Sequence, residues 1–372
     1  MRGMLRDMML YHSRKFDDPQ QQFAQARALI DWLDETVRAA DSPYAVLLRS
    51  ELEQMHGWRD SYFRHDSLEE VNVFVYFHEF MERAERHGLQ YLAEAEFHTM
   101  LASNYAPPVS ETLNRLGRDI IELEQYMDFV RNRMFRQTLL CHRGVKLKRA
   151  LGPWTLHDLR VAAGFRPKTG NLDIASHEAG EFSDSGRATI SSNQPIVKAA
   201  FLLLGQHWPK SIPFRELVGL ARSHLEAAGP NSPAIPAGRA AEEAVAGAIL
   251  TCLSKGACEL HVHAGAFVTT ISERPLACPY SRWQARSGPV VTNRRHERVE
   301  LDNFGRQLLL LLDGEKDPDA LVDSLTQLAV AGTLIVLVDE KVTHDREIIR
   351  AIMPAQAEAK LLQLGRLALL VG

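Results

Sequence analysis

The sequence predicts a mainly α-helical chain with small β elements, an α+β protein, from three observations. Apolar residues recur at three- and four-residue steps through most of its length, as at Phe23, Ala26, Ile30, Leu33 and Val37. Strict alternation, the mark of a half-buried strand, is confined to short stretches such as 89–97. Proline and glycine fall where helices begin and end, as at Pro19, Pro43, Gly88 and Gly256.

With 372 residues, 45% hydrophobic and 24% charged, the chain has the make-up of a globular protein with two or three cores. A net charge of -4 gives no basic field, so neither nucleic acid nor a membrane surface is an expected partner. The four cysteines, Cys141, Cys252, Cys258 and Cys278, are too dispersed for a disulfide framework and fit a reducing compartment. Arg2, Arg6 and Asp7 interrupt the apolar start, so it has no signal-peptide core. The apolar runs near Leu310 and Ile335 fall far short of the ~20 residues of a membrane span. A cytoplasmic protein is expected.

Residues 1–60 read as helical, with breaks at Asp17-Asp18-Pro19 and Asp41-Ser42-Pro43 that match capping residues followed by proline. The methionine-rich first turn (Met1, Met4, Met8) is expected to pack on the chain's own core. Val71–Val75 is a short strand or a lead-in to a helix buried through Phe77, Phe80, Met81 and Ala84 and closed by Gly88. Leu89, Tyr91, Ala93, Ala95 and Phe97 then alternate like a strand. The best-defined helix is expected from Asp119 to about Leu140, with acids in its first half and Arg131, Arg133 and Arg136 in its second, complementing the helix dipole.

Residues 166–195, polar and rich in Gly and Ser, are expected to be a connector. Three helices follow, at 195–209, 211–226 (Ser211 as cap) and 240–255, with a Pro/Gly loop at 228–238 between the second and third. A hairpin is expected around Ala264-Gly265, giving the order of a winged helix. The last 75 or so residues return to helix, with Thr333–Glu340 as a strand or a buried turn. The domain plan is therefore 1–60, 61–165, a connector at 166–195, and a winged-helix-like region with terminal helices at 196–372.

Several chemistries lack their residues. The chain has no GxxxxGK[ST], HExxH or GxSxG sequence, and no Gly-rich turn after a strand that would admit a nucleotide or S-adenosylmethionine. Cys252, Cys258, His261 and His263 lie close in sequence but lack CxxC pairing, so no metal site is expected. If the three helices form a winged helix, Glu242 and Glu243 at the start of the third oppose DNA phosphates, and the hairpin offers no Lys or Arg before Arg274.

Four segments resemble the methyltransferase regulatory domain family: MRGMLRDMMLYH, VNVFVYFHEFMERAERHGLQYLAEAEF, DIIELEQYMDFVRNRMFRQTLLCH and SSNQPIVKAAFLLLGQHWP. The family accompanies bacterial S-adenosylmethionine-dependent methyltransferases, including lysine methyltransferases acting on outer-membrane proteins. The resemblance implies that residues 1–60 are a helical insertion used for self-association. It also implies that 62–97 are an orphaned helix–strand edge of a methyltransferase sheet, followed by a helical middle domain. Family members carry a cofactor-binding half with a Gly-rich loop ahead of the first of these segments, and this chain contains no such loop.

The expectation is thus a regulatory or accessory part of a protein methyltransferase, not catalytic alone. No cofactor is expected on this chain, S-adenosylmethionine being implied for the cofactor-binding half. The implied partners are a methyltransferase catalytic domain in cis or trans, a protein substrate and a second copy of the chain. His65, Asp66, Tyr76 and His78, which lead into the closing helix, are the substrate-facing candidates. The alternatives are a winged-helix DNA-binding regulator, a truncated fragment of a fused methyltransferase, and an intact enzyme with an unrecognised cofactor site.

Overall fold

The structure is a computed structural model that describes residues 1–69, 71–170, 172–184, 188–227, 238–338 and 341–372. It is a mainly helical α+β protein with small antiparallel sheets. The chain divides into two units, Met1–Arg83 and Ala84–Gly372.

In the first unit, helix α1 spans Arg2–Ser13, α2 Pro19–Arg38, α3 Pro43–His56 and α4 Asp60–Ser67. The two proline breaks act as caps: Asp18 accepts from the Gln21 amide and Ser42 from the Ala45 amide, each with proline at the next position. Leu5, Met9, Ala26, Ile30, Leu48, Leu52 and Phe63 form the core. Met1 and Met4 of the methionine-rich turn stay exposed, and it is Leu5 and Met9 that are fully buried. Arg27 locks α2 to α4: its guanidinium lies 4.0 Å from the Phe63 ring and donates to the Met55 and Trp58 carbonyls and to Asp60. Helix α5, Phe77–Arg86, runs from this unit into the next.

Within the second unit, α5 is followed by Gly88, whose φ of +73° suits a residue without Cβ. Strand β1 (Leu89–Glu94) follows, then α6 (Pro107–Leu116), α7 (Ile120–Arg131) and β2 (Thr138–His142). The expected long helix from Asp119 therefore ends early. Asn132 adopts a left-handed conformation (φ 50°) with its amide on the Asp128 and Phe129 carbonyls, which terminates α7 and frees the chain to pair β2 antiparallel with β1. The alternation expected through Phe97 also breaks. A register shift between Tyr91 and Ala93 leaves Leu92 outside the pairing, and Tyr91 and Glu94 are the buried residues of the strand.

In place of the connector expected at 166–195, the described residues there include strands that form a sheet. Strands β3 (Arg160–Ala162), β4 (Phe165–Pro167), β5 (Gly180–Asp184) and β6 (Ala188–Ser192) precede α8 (Pro195–His207), and β4, β5 and β6 pair antiparallel. Few large apolar residues suffice because they cluster. Phe165 and Phe182 meet Phe201 of α8 at ring distances of 4.7 and 5.3 Å. Lys198, fully buried, ties down the loop before β5 by donating to the carbonyls of Asp173, Ser176 and Glu178.

Next come β7 (Ile212–Pro213), α9 (Phe214–Ala227), α10 (Gly238–Ser254) and β8 (Glu259–His261). Most of the Pro/Gly loop expected at 228–238 lies outside the described residues. Ser211 does not cap a helix. Its hydroxyl accepts from Arg160, and Ile212–Pro213 pair with β3 before α9 begins. The hairpin expected at Ala264-Gly265 is also absent: β8 takes β3 as partner, giving a three-stranded order β7-β3-β8. Beyond it the chain folds onto the Phe267 ring, and the Val268 amide bonds to the Leu370 carbonyl at 3.0 Å.

The chain ends with α11 (Pro279–Ser287), the β9–β10 hairpin (Val290–Thr292, Arg298–Glu300), α12 (Asn303–Leu311), α13 (Pro318–Val330), the β11–β12 pair (Leu337–Val338, Lys341–Val342) and α14 (Arg346–Arg366). Leu308, Leu309, Leu321, Leu325, Ile349, Met353 and Leu364 build their common core.

Candidate functional site

The sequence candidates lie where α4 leads into α5. α4 buries Phe63 and Ser67 and presents His65 outward, where its Nδ1 lies 2.7 Å from Glu69. Asp66 uses its backbone: its carbonyl accepts from the Asn72 side-chain amide at 2.6 Å, which fixes the start of the next segment. Residues 71–76 form neither helix nor strand, and Val71, Val73, Phe74, Val75 and Tyr76 are all exposed, Val71 at 82%. Glu79 then accepts from the Tyr76 amide at 2.8 Å, one of the orphan donors at the start of α5. Phe77, Met81 and Ala84 bury one face of α5. Tyr76 and His78 stack at a ring distance of 5.9 Å. The structure thus pairs Tyr76 with His78, gives His65 to Glu69, and leaves Asp66 a backbone role.

Sequence reasoning missed a buried cluster of charged residues. Glu94 and Glu124 have no exposed side-chain surface, and Arg136 joins them at 2.8 and 2.9 Å while also holding Asp128 at 2.7 Å. Arg133 takes the second oxygen of Glu94 at 2.9 Å, and Thr138 and the Gln137 amide donate to the same carboxylate. The Tyr91 hydroxyl donates to Glu124 at 2.5 Å. Burial pushes the Glu124 carboxyl up, against the Tyr91 hydroxyl and the Arg136 guanidinium, which pull it down. Burial and then Glu124 push the Tyr91 phenol well above its usual range, so it stays a proton donor. These bonds join β1, α7 and the start of β2, which makes the cluster a clasp. The signal was available: Arg133 and Arg136, read as complementing a helix dipole, lie beyond the end of the helix.

Cys252 and Cys258 are core residues. Burial pushes the Cys252 thiol up to about 12, and Cys258 lies 3.5 Å from the Ile249 carbonyl. His261 pairs with Glu259 at 3.0 Å. On α10, Glu242 pairs with His157 and Glu243 with Arg239. Among the described residues no helix is long and apolar enough to cross a membrane.

Two family models match this chain. Residues 59–142, which hold α4, the exposed segment, α5 and the clasp, match the "predicted methyltransferase regulatory domain". That stretch of the chain is similar to a methyltransferase regulatory domain. Residues 273–369 match the PKMT C-terminal winged helix domain, downstream of the three helices in which the sequence order suggested one. Among curated proteins, the uncharacterized protein RP789 of Rickettsia prowazekii (strain Madrid E) is 28% identical over 360 residues. That alignment takes in 93% of this chain and 62% of the relative. The uncharacterized protein RP028 of the same organism is 33% identical over 86 residues, 23% of this chain and 34% of the relative. The solved structure of PKMT2 from Rickettsia typhi is similar with a TM-score of 0.82 at 24% identity, covering all of this chain and 72% of that one. The same protein in complex with AdoHcy matches equally well.

The last finding corrects the expectation that no cofactor belongs on this chain, S-adenosylmethionine being left to a separate half. A fold that takes in the whole of this chain occurs in a protein solved with AdoHcy. The chain is methyltransferase-related.

Proposed function

We propose that the chain is the regulatory and accessory portion of an S-adenosylmethionine-dependent protein methyltransferase, and that it completes the fold of that cofactor-binding protein. The observation that carries this reading is the regulatory-domain match over 59–142, which takes in a run of consecutive residues, 73–76, all of them apolar or aromatic and exposed. Val71, Val73 and Phe74 are the kind of surface that a partner covers, and β1 pairs on one side only among the described residues. The partner that fits is a methyltransferase catalytic half, joined in cis or in trans. Residues 1–60 would support association with a second copy, and His65, Tyr76 and His78 would face a protein substrate.

Among the described residues no strand runs into a glycine-rich turn followed by a helix, the arrangement that lets a backbone approach an adenosyl cofactor. The likeness to the AdoHcy complex supports cofactor binding by the assembled protein.

Calorimetric titration of S-adenosylmethionine into the chain, alone and together with a glycine-loop half, tests the reading. Tighter binding by the pair than by either part is expected. Binding by the glycine-loop half that is unchanged when this chain is added would overturn it.

A further inference from the structure

A second site lies far along the sequence from these residues, and no family match or relative assigns it. A cleft of about 370 Å³ opens between the loop after β8 and the turn joining β9 to β10, a volume within the range of small-ligand pockets, about 300–1,000 Å³. One wall is His263, Ala264, Gly265 and Ala266; the other is Arg294, Arg295 and His296.

The turn is rigidly built. Asn293 is buried, accepts from the amides of Arg295 and Glu297, and donates to Glu297 and to the Leu367 carbonyl. His296 is held in a left-handed conformation (φ 62°), costly for a residue with a Cβ and persisting only where the surroundings impose it.

The charges sort into used and unused. Both carboxylates at the cleft are committed to Arg295, which reaches Glu259 at 2.7 Å and Glu297 at 3.1 Å and lies 4.4 Å from the Trp208 ring. Arg294 bonds only through Nε, to the Ala266 carbonyl at 3.2 Å. Its two terminal nitrogens have no protein acceptor among the described residues, and the same holds for the side chains of His263 and His296. The amides of Ala264, Gly265 and Ala266 likewise find no acceptor in the chain among the described residues. The uncommitted groups among the cleft's lining residues are therefore donors, while both lining carboxylates are engaged by Arg295.

We propose that this cleft binds the oxyanion of a small ligand, a carboxylate or a phosphate, with Arg294 as its principal charged donor and the 264–266 amides as neutral ones. A planar guanidinium held at one nitrogen presents its remaining N–H groups in the fork that oxyanions accept. The site is independent of the methyltransferase reading: either proposal stands if the other fails.

Calorimetry on the full chain tests it, with inorganic phosphate and citrate as separate probes. At least one is expected to bind, with affinity reduced about tenfold or more by Arg294→Gln. His296→Gly, which relieves the backbone strain, should leave the fold intact and weaken binding less. Arg298→Gln removes the same charge from the same hairpin outside the cleft and should change nothing. Preference for citrate identifies a carboxylate ligand, preference for phosphate a phosphorylated one. Binding weakened equally by Arg294→Gln and Arg298→Gln, or no binding of either probe at about 10 mM, overturns the proposal.

Discussion

Residues 71–76 and the clasp between β1, α7 and β2 invert the usual rule for soluble proteins within one matched domain. The first places Val71, Val73 and Phe74 in solvent; the second places Glu94 and Glu124 out of it. The difference teaches which contacts are internal. Buried charges are tolerated where each finds partners, and Glu94 has Arg133, Arg136, Thr138 and the Gln137 amide. The exposed apolar residues have no such completion within the matched domain, which is what the proposed methyltransferase partner would supply.

The comparison breaks most sharply at Arg136. Arg136→Met removes the cation shared by Glu94, Glu124 and Asp128 and should cost about 3–5 kcal/mol, because it leaves buried carboxylates uncompensated. A shift of the urea midpoint equivalent to less than about 1 kcal/mol would mean that the clasp is not essential to the fold. Tyr91→Phe removes one hydrogen bond to a buried carboxylate and should cost about 1.5–3 kcal/mol by the same measurement.

Glu259, partly exposed, is the intermediate case. Burial would raise its carboxyl, but His261 and Arg295 hold it below its ordinary 4.5. A carboxyl depressed in the folded state stabilises above its unfolded value, and that stability is lost as pH falls through the folded one. The urea midpoint should therefore fall below pH 4.5, and Glu259→Gln should flatten that part of the profile. A wild-type and variant profile of the same shape would remove Glu259 from the account. The smallest effect on stability is expected at the exposed segment. Val73→Ser with Phe74→Ser should change the unfolding free energy by no more than about 0.5 kcal/mol, while weakening association with a catalytic half. A large loss of stability would place these side chains in an internal role instead.

What the sequence revealed follows from how local each determinant is. Asp18-Pro19 and Ser42-Pro43 state their helix starts within a few residues, and both caps form as expected. β2 was hidden because Thr138–His142 continues the apolar pattern of α7, and only Asn132 and the distant β1 decide otherwise. The register shift at Leu92 reverses the alternation that would have placed Glu94 outside. The β4–β5–β6 sheet packs on Phe201 from α8, and β8 pairs with β3, contacts across long separations that no local pattern announces. Of the site candidates, the Tyr76–His78 pair follows from the helix start, whereas the partner of His65 needed the structure.

The central claim is that this chain completes a protein methyltransferase. Its most direct test is transfer of labelled methyl groups from S-adenosylmethionine to a protein acceptor by a glycine-loop half, with and without this chain. The account predicts that transfer depends on the chain and is lost with Val73→Ser and Phe74→Ser together. Transfer at the same rate whether or not the chain is present would contradict it.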